Sequence, residues 1–198
     1  MVEKRSFFVP LSDGDIAEKF SKVLYGWRGL AAELDYTGLV AWEVEEGFTL
    51  KSHAPEAGSC YENFQYLRDW NIVKGNEPTK NSLVFWVPRL VGNESKTVEE
   101  KIAMLAELRQ SFGLPEHHLA SFGNASILSG LILAHAKYMS EKVPLKGEWA
   151  RTDSVDSGGR RLNLCGLNPH GLYCDRLYRD DSRRPGLGCF PLGIELAA

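Results

Sequence analysis

No run in this sequence is both long and apolar enough to cross a bilayer. The most hydrophobic helical candidate, ASILSGLILAHA at 125–136, is interrupted by serines, Gly130 and His135. It falls short of the roughly 20 residues that a span requires. A core helix running from about 124 to 141 is expected, with no membrane partner. The opening MVEKRSFFVPLSDGD has too short an apolar run for a secretory leader and soon meets Pro10. Cysteine is scarce: Cys60, Cys165, Cys174 and Cys189 are widely spread and lack CxxC spacing. That pattern excludes a zinc ribbon and fits reduced thiols in a cytoplasm. There is no P-loop, no GxGxxG and no GxSxG, so neither a cofactor nor a metal is expected. A basic excess is missing too. The net charge of −3 argues against a nucleic-acid partner held by general phosphate neutralisation.

What is present suits an ordinary folded chain. Hydrophobic residues make up 43% and charged residues 25%, a balance that excludes extended disorder. The 198 residues fit one domain spanning 1–198, with possible lobes at 1–94 and 95–198.

The pattern along the chain predicts an α+β fold. FFVPL is a short strand that Pro10 places at an edge or end. Ser12 and Asp15 resemble a capping box, and Ile16, Phe20, Val23, Trp27, Leu30 and Leu34 follow at helical spacing. Gly26 and Gly29 are expected to bend or break that helix. GLVAWEVEEGFTLKSH (38–53) alternates like a hairpin turning at Glu45-Glu46-Gly47. SCYENFQYLRDW carries an S-x-x-E cap and is expected to be helical. SLVFWVP has the continuous apolarity of a strand buried on both faces. Thr97 and Glu100 cap a helix that Gly113 ends, and Pro115 opens a short one, PEHHLASF. Asn124 caps the core helix. Beyond residue 148, strand-length pieces separated by Gly, Pro, Asn and Asp predict a C-terminal antiparallel sheet. Phe190, Leu192, Ile194 and Leu196 should face the core, with Pro191 marking an edge or bulge.

Arginine is unevenly placed: seven of the twelve lie beyond Lys146, the last lysine. A guanidinium fork holds a carboxylate or phosphate through two bonds, whereas lysine acts as a point charge. The segment therefore serves either an anion site or rigid internal ion pairs with Asp153, Asp156, Asp175, Asp180, Asp181 and Glu195. RDDSRRPG (179–186) has turn chemistry and is expected to be a solvated hairpin loop with internal Arg–Asp pairing. Arg176, within a strand, needs a partner. Arg151, Arg161 and Arg176 are the candidate anion ligands. Aromatic residues crowd the N-terminal half, and Trp42 and Tyr61 are candidate walls of a pocket for a small acidic or planar molecule.

A second candidate is AGSCYENF. At the first turn of a capped helix, Cys60 would meet unpaired amides that favour its thiolate. Gly58-Ser59-Cys60-Tyr61 resembles the nucleophile segment of papain-like cysteine proteases. That resemblance implies His170 as the base, with Asp175 or Asn168 orienting it. It extends over four residues only. Ala54 and Pro55 stand where the family has its glutamine, and no asparagine-serine-tryptophan segment follows His170. His117 and His118 are expected at the surface, and His135 as a hydrogen-bonded interior residue.

The sequence thus predicts a protein that binds a small anionic molecule or a protein partner. The alternatives are a hydrolase or transferase using Cys60 and His170, or a structural protein forming a homodimer through an edge strand.

Overall fold

Alternating apolar residues in Ala41–Val44 and the apolar run Ser82–Trp86 build the first of two sheets. The computed structural model describes residues 6–69, 77–139, 143–145, 147–168 and 171–196, apart from the side chains at 68, 69, 167, 168 and 176–178. The first sheet has the order β1-β2-β3-β8, with β1 at Phe8–Leu11, β2 at Ala41–Val44, β3 at Ser82–Trp86 and β8 at Leu192–Leu196. All three pairings are antiparallel. The second sheet has the order β6-β5-β4-β7, formed by Trp149–Val155 (β4), Arg161–Asn168 (β5), Gly171–Tyr178 (β6) and Leu187–Gly188 (β7). The architecture is α+β.

Each face of the first sheet has its own core. Trp42, Val44, Val84 and Trp86 point towards α4 (Ala125–Tyr138). Ala41, Phe85 and Val87 point the other way, onto Trp27 and Leu30 of α1 (Ser21–Glu33) and Leu105 of α3 (Val98–Ser111). The period-2 direction of strand side chains produces this division. α4 packs against β1 on one side and against β4 and β5 on the other, so it lies between the sheets. That position explains why it is buried on every face from Ala125 to His135. Among the described residues no helix is long and apolar enough to cross a membrane.

Several local expectations hold. Thr97 Oγ1 accepts from Glu100 N–H at 3.2 Å while the Glu100 carboxylate accepts from Thr97 N–H at 2.8 Å, forming a reciprocal cap. Asn124 caps α4 through Ile127 N–H at 2.9 Å. Gly113 takes φ 61 just beyond α3. β8 lies at a sheet edge.

Others are corrected. α1 runs unbroken through Gly26 and Gly29. A Cβ at Gly26 would stand 2.6 Å from the Phe112 carbonyl oxygen, so the glycine admits a crossing chain instead of bending the helix. The hairpin over 38–53 does not form: β2 pairs with β1 and β3, and Phe48 and Leu50 are buried without joining a strand. Thr79 competes for that segment. Its hydroxyl accepts from Phe48 N–H at 3.0 Å and donates to Glu45 O at 2.6 Å.

The 61–69 segment is a 3-10 run broken by left-handed backbone at Glu62, Asn63 and Phe64, not a capped α-helix. Residues 115–121 form turns in place of a helix. The carboxyl-terminal sheet is not wholly antiparallel, because β7 runs parallel to β4. β8 then leaves it to join β3, a pairing that links residues on either side of position 94.

Candidate functional site

β1, the 45–53 loop and the last turns of α4 converge on a cavity of about 400 Å³, within the range of small-ligand pockets. Phe7, Phe8 and Phe48 form its apolar wall. The Phe48 ring stands edge-on to Phe8 at 5.0 Å and to Phe7 at 5.6 Å between centroids. Glycine at position 130 makes this wall fit. A Cβ there would lie 2.0 Å from Phe8 Cζ, so the ring rests directly on the helix backbone. The loop is pinned to α4 as well, since Leu50 N–H donates to Ser126 Oγ at 3.1 Å.

The polar groups lie on the rim. His53, just before the short helix α2 (Ala54–Ala57), packs edge-on to Phe7 at 5.1 Å. Its Nδ1 accepts from Thr49 N–H at 3.0 Å. The neutral ring therefore carries its proton on Nε2, and the residue lines the cavity. From α4, Lys137 is exposed and holds its ammonium 5.1 Å from the Tyr138 ring centroid. Tyr138 and Ser6 hydroxyls meet at 2.8 Å. A second hollow, bordered by Lys51, Ser52 and Asn63, lacks any aromatic wall.

None of the described candidates from the sequence, Cys60, Arg151, Arg161, Asp175, Trp42 and Tyr61, lines the aromatic cavity. Trp42 comes nearest. It is fully buried against Trp86 and stands edge-on to Tyr138 at 6.4 Å, one ring behind the wall. Tyr61 packs on Tyr173 at 5.3 Å and on Tyr66 at 5.9 Å, outside the second sheet. Rings in such close mutual contact form a packed cluster that leaves no slot between them.

The arginines are largely consumed by the protein. Arg161 grips Asp180 through two bonds of 2.8 Å and also donates to Thr152 O. Arg160 is held by Asp156 at 2.8 Å, and Arg183 by Glu100 at 2.6 Å. Arg151 is fully buried beneath the 179–182 loop, reaching Ser182 O at 3.2 Å, with Asp180 Oδ1 3.9 Å from its Nη1. Its Nε and Nη1 make no hydrogen bond among the described residues. The loop is solvated, but its ion pairs reach outside it, from Asp180 to Arg161 and from Arg183 to Glu100. It is no hairpin, however: it crosses from β6 at one sheet edge to β7 at the other. The side chain of Arg176 lies outside the described residues.

The cysteine candidate loses its activating surroundings. Cys60 is buried and forms a parallel bridge with Leu172. The left-handed residues that follow give it no helix amides, and burial pushes its thiol up to about 12. Asp175 accepts from Tyr173 O–H at 3.3 Å on β6. His170 lies outside the described residues.

One further cluster has metal-ligand spacing. The Nε2 atoms of His117 and His118 each lie 3.2 Å from Glu195 Oε1, and all three atoms fall within 4.8 Å of one another. His118 is fully buried, contrary to its expected exposure. Its Nδ1 accepts from Trp27 Nε1–H at 3.1 Å, which places the ring proton on Nε2. A metal-bound histidine ordinarily shows the reverse polarity, donating from its second nitrogen. Burial, helped by the adjacent His117, pushes the His118 pKa down to about 4. The cluster brings the 115–119 turn beside β8, although the buried His118 Nε2–H forms no hydrogen bond among the described residues. His135 is the interior histidine expected, 3.4 Å from the Tyr36 hydroxyl.

The cavity residues were missed because they are drawn from three distant segments. Only the doubled Phe7-Phe8, and a glycine within the most apolar helix, signalled that rings might pack there. Comparison with protein-family models, curated proteins and solved structures finds no match to this chain.

Proposed function

We propose that the protein binds a small anionic molecule in the cavity between β1, α2 and α4. The observation that carries this reading is one concave site joining a phenyl wall to two donors that make no hydrogen bond or ion pair among the described residues, His53 Nε2–H and the Lys137 ammonium. Concave, mostly apolar sites with a few placed polar groups are where small ligands bury most of their surface. The C-terminal arginines, bound to Asp180, Asp156 and Glu100, contribute less to such a site than their number suggested. The buried Cys60 thiol, pushed up to about 12, gives no support to thiolate chemistry at neutral pH.

The test is a thermal-shift screen of small carboxylates and phosphates on the wild type and on Ala57→Trp. Ala57 is exposed at the cavity rim, so the new indole obstructs the mouth at little cost to folding. Stabilisation by an anion that disappears in Ala57→Trp supports the proposal. Equal stabilisation of both proteins would place binding elsewhere and refute it.

A further inference from the structure

Resting on that reading, we infer that the ligand is an aromatic monocarboxylate without an amino group, its ring against Phe7 and its carboxylate between His53 and Lys137. The reasoning is an inventory of hydrogens and charges at the rim. Ser6 Oγ donates to Phe8 O at 3.0 Å. Its single hydrogen is thereby used, so in the 2.8 Å contact with Tyr138 it is Tyr138 that donates. Both hydroxyl hydrogens are spent within the protein. Glu56, the one acid among the described lining residues, already has a partner. His53 Nδ1 is occupied by Thr49.

Among the described lining residues two donor groups then remain for a ligand, the imidazole Nε2–H and the ammonium with its three hydrogens, and they carry one positive charge between them. A carboxylate presents two acceptor oxygens and one negative charge, matching this set in both respects. A phosphate dianion would bring more negative charge than these two groups offset, with no guanidinium fork among the described lining residues. An ammonium on the ligand would stand beside Lys137, while Glu56 is already engaged. The body of the ligand is set by the opposite wall. Phe8 and Phe48, at most 3% exposed, back the cavity, so the phenyl face open to a ligand is that of half-buried Phe7. A polar or hydroxylated body would leave its groups unpaired there.

Calorimetry separates the possibilities, using phenylacetate, its neutral isostere phenylacetamide, the amino acid phenylalanine and inorganic phosphate. Phenylacetate is expected to bind, with phenylacetamide and phenylalanine each on the order of tenfold weaker, and phosphate giving no heat. In Lys137→Met, whose substituted side chain is exposed, the acid-to-amide preference should shrink towards one while the amide keeps its affinity. Equal affinity of acid and amide for the wild type overturns the inference but leaves a ligand-binding cavity standing. Tighter binding of phenylalanine or of phosphate overturns it as well. Failure of all four to bind, with no effect of Ala57→Trp on any anion, removes the underlying proposal too.

Discussion

Replacing Gly130 by alanine sets two effects of opposite sign against each other. In an unconstrained helix interior the change stabilises by about 1 kcal/mol, because glycine has more backbone freedom to lose. Here the added methyl would fall 2.0 Å from Phe8 Cζ and 2.1 Å from Cε2, far inside van der Waals contact. The ring must swing away from α4, giving up its 5.0 Å edge contact with Phe48. Overpacking of this kind costs about 1–3 kcal/mol. The balance is a net loss of about 1 kcal/mol, seen in urea unfolding as a lower midpoint at unchanged slope. In a chain of 198 residues it should lower Tm by about 2–4 °C. A Phe8→Ala background supplies the control. With the ring removed, alanine at 130 should recover its ordinary gain, so the double-mutant cycle should show a coupling of about 2 kcal/mol. If Gly130→Ala stabilises the wild type as much as it stabilises Phe8→Ala, the ring does not rest on the helix, and the cavity wall is wrongly drawn.

Two further outcomes follow from buried ionisable groups. His118 titrates near 6.5 when unfolded and about 4 when folded, so the unfolded chain takes up the proton first as pH falls. Its contribution is present above pH 6.5 and is lost on descending to about 4, amounting to roughly 3 kcal/mol. His118→Gln, which keeps an acceptor for Trp27, should flatten the acid limb of stability measured by urea midpoints between pH 7 and 4; an unchanged limb would count against the burial argument. Cys60, pushed up to about 12, should react with a thiol reagent at pH 8 roughly a thousandfold more slowly in the native protein than in denaturant. Peptide mapping distinguishes it from half-buried Cys165. Comparable native and denatured rates at Cys60 would show an exposed or activated thiol.

Local signals were legible where they depended on neighbours in sequence. Thr97 with Glu100, Asn124 before α4 and Gly113 after α3 each act within four residues, and each does what its chemistry implies. The apolar run at 82–86 is likewise an interior strand. The failures come from partners distant in the chain. Phe48 and Leu50 alternate as strand residues do, but Thr79 and Ser126 take their amides. Glu62 and Phe64 adopt left-handed backbone against their own preference, and of the three only Asn63 tolerates it readily. His118 looked like a surface residue until Trp27, ninety-one positions earlier, supplied a hydrogen. The site was the least visible part of all, because its ring wall and its donors meet only after β1, the 45–53 loop and α4 have assembled.

The pairing of β3 with β8 also governs the order in which the molecule can be completed on a ribosome. When Ser82–Trp86 has emerged, one of its flanks has β2 beside it, while the other must wait for Leu192–Leu196, over a hundred residues later. Until then an apolar strand presents an open row of backbone groups, the kind of template on which neighbouring nascent chains associate. Arrival of Leu192–Leu196 is therefore the step that covers this flank of β3.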